Sequence, residues 1–142
     1  MNILAQQRLR EENERREFEE NQRRLLEEQQ RKLEEFAQFR ESLRQKLPDE
    51  PSANDIDTIQ VSIRLPETEP IRRRFRRTDS AKLLFEFAWT NSEVPDKFEL
   101  LWGYPRKRYQ YKQMGDKQIN DVMSGNTETC FLEEIDDETE LN

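Results

Sequence analysis

Hydrophobic and polar positions follow two different periods along this chain, and the change between them divides it. Residues 2–47 contain neither Gly nor Pro and are built largely from Glu, Arg, Gln and Leu, good helix formers with little competing turn chemistry. Glu precedes Arg or Lys by four places at Glu11/Arg15, Glu12/Arg16, Glu19/Arg23, Glu20/Arg24, Glu27/Arg31 and Glu28/Lys32. That order suits a helix surface, each pair being worth roughly 0.2–0.5 kcal/mol. One long charged helix is therefore expected over 1–47, stopped by Pro48 after Leu47. Leu26, Leu33, Leu43 and Leu47, with Phe36 and Phe39, give its second half an apolar stripe, whereas the heptad series Leu4, Glu11, Phe18, Leu25, Lys32, Phe39 breaks twice. The pattern admits a solvated single helix or a coiled coil confined to the later half, with weak self-association at most.

Residues 48–57 carry Pro48, Pro51 and small polar residues without a period, and are expected to be a linker. From Thr58 the period becomes two. Ile59, Val61, Ile63 and Leu65 alternate with Gln60, Ser62 and Arg64, as a half-buried strand requires. After a Pro66–Pro70 turn, Ile71, Arg73 and Phe75 alternate with Arg72, Arg74 and Arg76 in a second strand. Thr78 or Asp79 is placed to cap a helix carrying Leu83, Leu84, Phe87 and Ala88 on one side. Phe98–Trp102 reads as a third strand, Arg108–Tyr111 as a fourth, 117–123 as a helical turn and Thr129–Ile135 as the last strand. This is the element order of an α+β, β-grasp (ubiquitin-like) domain over 58–137, preceded by the long charged α-helix and followed by an acidic tail, 138–142.

Composition agrees with one small domain plus a solvated segment: of 142 residues only 32% are hydrophobic and 39% are charged. No apolar run approaches the ~18 residues of a membrane span, and the charged start gives no sign of a secretory signal. The net charge of -7 resides near the C-terminus, since 128–142 hold acidic residues and no basic one. That balance disfavours nucleic acid as a partner. The lone Cys130 lies in an apolar strand, where a buried, inert thiol and a reducing compartment are expected. The chain has no histidine, no Gly-rich phosphate loop and no metal-ligand spacing. Neither catalysis nor a cofactor or metal is expected.

Two groups remain as candidate binding chemistry. Arg72–Arg77, with Arg106, Lys107, Arg108 and Lys112, can form a basic surface, although charged strand faces also serve only to keep edges soluble. Tyr104-Pro105-Arg106 follows a strand directly. Proline there stops the ladder and forces a tight turn able to carry an aromatic ring and a guanidinium outward. The bland alternative folds Tyr104 back onto the core.

Val61-Ser-Ile-Arg64-Leu-Pro66, Arg73-Arg-Phe75, Thr78-Asp-Ser80, Lys97-Phe-Glu-Leu100, Tyr104-Pro-Arg106 and Glu128-Thr-Cys-Phe-Leu132 resemble the UBX domain in order and spacing. With the charged helix and Leu-Pro-Asp-Glu-Pro linker ahead of it, the chain looks most like the C-terminal part of Fas-associated factor proteins. The resemblance implies a ubiquitin-like fold without conjugation chemistry, consistent with a sequence that closes on Glu140-Leu141-Asn142. It implies a non-catalytic adaptor for the AAA ATPase valosin-containing protein in ubiquitin-dependent degradation. The turn, usually Phe-Pro-Arg in the family, enters a pocket in the ATPase N-terminal domain, and a first-strand arginine adds a polar contact. Here those positions are Tyr104, Pro105, Arg106 and Arg64. The implied setting is cytoplasmic or nuclear, or the endoplasmic reticulum surface through parts not present in this chain. Two other readings stand beside it: a Ras-association-type module meeting a small GTPase through the basic strand, and a structural protein in which the helix matters most.

Overall fold

The structure, a computed structural model, describes residues 2–136. Helix α1 spans Ile3–Lys46, and the Asn2 carboxamide oxygen accepts the Ala5 N–H at 2.7 Å, satisfying one of the donors left over in the first turn. Its Glu and Arg side chains pair along the surface, for example Glu12–Arg16 at 2.8 Å and Glu28–Lys32 at 3.6 Å. Such exposed pairs each add a few tenths of a kcal/mol, roughly. Ile3, Leu9, Phe18, Leu25, Leu26 and Leu33 are all exposed. No helix among the described residues is long and apolar enough to cross a membrane.

The chain divides into two units between Phe39 and Arg40. The packed unit thus reaches back past the expected boundary at Thr58 and takes in the last turns of α1, where Leu43 is buried. It contains strands β1 (Thr58–Arg64), β2 (Ile71–Arg76), β3 (Phe98–Trp102), β4 (Lys107–Tyr109) and β5 (Thr127–Glu134), with helices α2 (Lys82–Trp89) and α3 (Ile119–Val122). The strands form one sheet in the order β2-β1-β5-β3-β4, parallel between β1 and β5 and antiparallel elsewhere. Ile59, Val61, Ile63, Phe75, Leu100, Cys130 and Leu132 face the core, where they meet Leu84, Phe85 and Ala88 of α2.

Four local expectations are revised. The fourth strand stops at Tyr109, and Tyr111–Gln113 is a 3-10 turn, because the Gln113 side chain takes the Gln110 N–H at 2.9 Å and turns the chain out of the ladder. Neither Thr78 nor Asp79 caps α2: Ala81 holds the N-cap position, and the Asp79 carboxylate instead accepts the Arg76 N–H at 2.9 Å. On α2 the fully buried aromatic is Phe85, stacked on Phe98 with ring centres 5.8 Å apart, while Leu83 and Phe87 are only partly buried. The 48–57 segment is a strap on the sheet edge. Pro51 is buried, and the Glu50 carboxylate accepts the Arg74 N–H at 2.8 Å. The acidic tail, 138–142, lies outside the described residues.

Candidate functional site

Strand β1 buries Ile59, Val61 and Ile63, so the pleat sends Arg64 to the opposite, outer face of the sheet. Two strands away, β3 ends at Trp102, whose indole N–H donates to the Val122 carbonyl at 3.0 Å and whose ring stacks on Tyr109 at 3.8 Å. That anchored residue is the base of the turn. Gly103 follows with φ +98°, a conformation that side chains rarely adopt, and a Cβ there would sit 3.4 Å from the Pro105 carbonyl oxygen. The Tyr104–Pro105 peptide bond is cis. Tyr104 is as exposed as a side chain can be (105%), which excludes its folding onto the core. Pro105 and Arg106 are exposed beside it.

Arg106 does not point away from the sheet. Its guanidinium carbon lies 4.0 Å from the centre of the Phe131 ring, and that of Arg64 lies 5.8 Å from the same ring. Strand register explains the meeting point: on β5, Phe131 stands opposite Arg64 of β1 and opposite Leu101 of β3. The structure therefore brings Arg64 and Arg106 to one aromatic ring and holds Tyr104 and Pro105 at the tip above a fixed base. Phe131 escaped the reading of the sequence as a site residue. The signal was present in the alternation, since Cys130 and Leu132 are buried and the residue between them must face out.

The basic residues do not form one free surface. Arg108 is held by Glu99 and by Glu133, the latter at 2.7 Å, and the hydrogen bonds it donates to Glu133 and then Glu99 raise its pKa above the usual arginine value. Arg73 is buried over the Phe75 ring, at 4.9 Å, and donates to the Pro48 carbonyl. Burial lowers its pKa, with Glu50 the largest opposing influence. The Arg77 guanidinium donates to the Gly125 carbonyl at 2.6 Å and to Asn126 at 3.0 Å. Strand β2 is the sheet edge that a Ras-association-type partner would extend, but Glu50 already occupies the Arg74 N–H there. Cys130 is buried in the core, and burial followed by the nearby Glu128 charge pushes its thiol pKa up. A thiol kept protonated is a poor nucleophile.

Comparison with known proteins bears on the family and the fold. The family profile of the UBX domain matches residues 53–134, more than half of the chain. FAS-associated factor 2 of Rattus norvegicus is 28% identical over 96 residues, covering 65% of this chain and 28% of that protein. FAS-associated factor 1 of Homo sapiens is 31% identical over 101 residues, covering 70% of this chain and 15% of that protein. The chain spans less than a third of the length of these relatives. The solution structure of a UBX domain superposes with a TM-score of 0.56 at 20% identity, over 68% of this chain and 87% of that one, a likeness of fold.

Proposed function

The chain belongs to the UBX domain family, and from that premise we propose that it is a non-catalytic adaptor docking on the N-terminal domain of the AAA ATPase valosin-containing protein. The observation that carries the reading is the pairing of a fully exposed Tyr104 at the turn tip with two guanidiniums, Arg106 and Arg64, gathered at its foot. An aromatic side chain supplies apolar area for a pocket, and each guanidinium offers a planar fork to carboxylates or carbonyls. A turn already fixed at Trp102 loses little freedom on docking. The adaptor would bring cargo to the ATPase for ubiquitin-dependent degradation, in the cytoplasm, in the nucleus or at the endoplasmic reticulum surface. The longer proteins it resembles are the basis for that part of the proposal.

Tyr104 stands where the family usually has Phe, so the hydroxyl needs a polar neighbour or rim water; buried without one it costs on the order of 1–3 kcal/mol. Calorimetry with the isolated ATPase N-terminal domain tests the reading. Tyr104→Ala should weaken binding by at least ~2 kcal/mol, about thirtyfold in Kd, with circular dichroism and melting nearly unchanged. Tyr104→Phe should preserve or strengthen it. Replacing Arg72 and Arg74 by Ser is the contrast, since a partner on the basic strand would feel that change most. Unchanged affinity in Tyr104→Ala overturns the assignment.

A further inference from the structure

Arg64 and Arg106 belong to elements separated by strand β5, and strands lie roughly 4.8 Å apart. Nothing in their own sequence neighbourhoods joins them. What joins them is a side chain on the intervening strand. Phe131 stands in register with Arg64 on one side and Leu101 on the other, is half-buried, and takes the Arg106 guanidinium at 4.0 Å and the Arg64 guanidinium at 5.8 Å. Both distances lie within the ~6 Å over which an aromatic ring attracts a cation. The two like charges would otherwise be kept apart by repulsion and by the rotamer freedom of two long side chains.

We propose that Phe131 is a positioning residue for partner recognition: its ring gathers the Arg64 and Arg106 guanidiniums into one preformed pair beside the Tyr104 turn. The proposal deepens the docking reading and rests on it for the partner's identity. The clamp itself is a property of the free chain. Two features make an aromatic ring the fitting choice at 131. The neighbouring outer-face acids, Glu99 and Glu133, are taken up by Arg108, so the clamp offers its arginines attraction without a carboxylate that a partner would have to displace. Phe131 also stands on a strand paired on both sides, so its backbone adds no moving part of its own.

The test uses the full chain and three substitutions: Phe131→Leu, which keeps an apolar side chain without a ring, Phe131→Tyr, which keeps the ring, and Arg64→Ala. The first readout is the NMR signal of the Arg64 and Arg106 Nε–H groups in the free protein, which a ring face shifts upfield. In Phe131→Leu both signals should move toward those of solvated arginine and sharpen, and in Phe131→Tyr both should stay. The second readout is calorimetry with the ATPase N-terminal domain. Phe131→Leu should weaken binding about fivefold or more, Phe131→Tyr should restore most of it, and Arg64→Ala should cost less in the Phe131→Leu background than alone. Unmoved arginine signals in Phe131→Leu overturn the clamp. So does strict additivity with Arg64→Ala, because independent side chains need no common ring. If the unsubstituted chain fails to bind the ATPase domain, the docking reading falls, while the arginine signals still decide the clamp by themselves. A Phe131→Leu chain that loses its fold hands the decision to Phe131→Tyr, whose arginine signals must then match the unsubstituted protein.

Discussion

Replacing Arg40 by Ala should destabilise the packed unit although Arg40 sits on a helix that otherwise looks solvated. Its guanidinium donates to the Trp89 carbonyl at 2.9 Å and to the carbonyls of Asn91 and Val94. Arg44 adds two bonds to the Thr90 carbonyl, at 2.6 and 3.1 Å. These are the carbonyls at and just beyond the C-terminal end of α2, which have no partner within that helix and carry its negative pole. Hydrogen bonds from a charged donor each contribute about 1.5–3 kcal/mol when desolvated. The site is part-buried, so water recovers much of that after truncation, and a net loss of about 2 kcal/mol is expected for Arg40→Ala. For a domain of about 100 residues this lowers Tm by roughly 8–16 °C. Alanine is the better helix former, so intrinsic propensity would push the other way. Urea unfolding followed by the fluorescence of Trp89 and Trp102 gives the measurement. Arg40→Lys should recover only part of the loss, because an ammonium cannot fork to several carbonyls. Chains beginning at Arg40 and at Thr58 provide the companion comparison, the shorter one losing Arg40, Leu43 and Arg44 together. Equal midpoints for those two chains would refute the reasoning.

Alkaline pH should weaken the fold through Tyr111, whose hydroxyl donates to Glu86 at 3.1 Å and whose pKa is pushed up to about 12 by burial first and the Glu86 charge second. Unfolded tyrosine titrates near pH ~10, so this contribution is complete below that value and is lost as pH rises toward about 12. Urea midpoints at pH 8 and pH 11 should fall in the unsubstituted chain and fall less in Tyr111→Phe; equal slopes refute the assignment. The buried Cys130 thiol acts with the same sign and persists in that variant. Gly103→Ala forces a side chain into φ +98° against the Pro105 carbonyl, and a melting experiment should register a loss of about 1–2 kcal/mol. The isolated helix, residues 1–47, should sediment mostly as monomer at micromolar concentration, because its first half lacks a sustained apolar seam. A tight dimer there would instead favour a role for the helix in its own right.

What the sequence made legible, and what it did not, follows from the range over which each signal acts. Ile59, Val61 and Ile63 announce a strand and its buried face by period alone, and the structure buries all three. The alternation of Ile71, Arg73 and Phe75 even placed Arg73 on the inner side, where the strap supplies the Pro48 carbonyl it needs. Arg40 was invisible because one arginine on a charged helix looks like the next, and its partners lie about fifty positions away along the chain. The strap was missed for a related reason: irregular backbone with two prolines has no period, whether it is bound or loose. Tyr111 continued the alternation of the fourth strand, but leaving a ladder is decided by a side-chain bond, here from Gln113, which periodicity does not register. For the candidate site, the Tyr104 turn stood out by its residue types, whereas the role of Phe131 depends on which strands become neighbours.

The place of β5 has a consequence for the order in which the molecule is made. It lies between β1 and β3, in the middle of the sheet, yet among the described strands it is the last to be synthesised. Until Thr127–Glu134 leaves the ribosome, the β1–β2 and β3–β4 hairpins have no common partner, and the edges of β1 at Ile63 and of β3 at Leu100 stay unpaired. Such pairing between distant segments closes slowly and leaves strand edges open to wrong partners. Helix α1 is complete long before and needs only local bonds. A nascent chain stalled before Thr127 should therefore be helical at its N-terminal end and fully sensitive to protease beyond Pro48, and the whole domain should become resistant at once when β5 emerges.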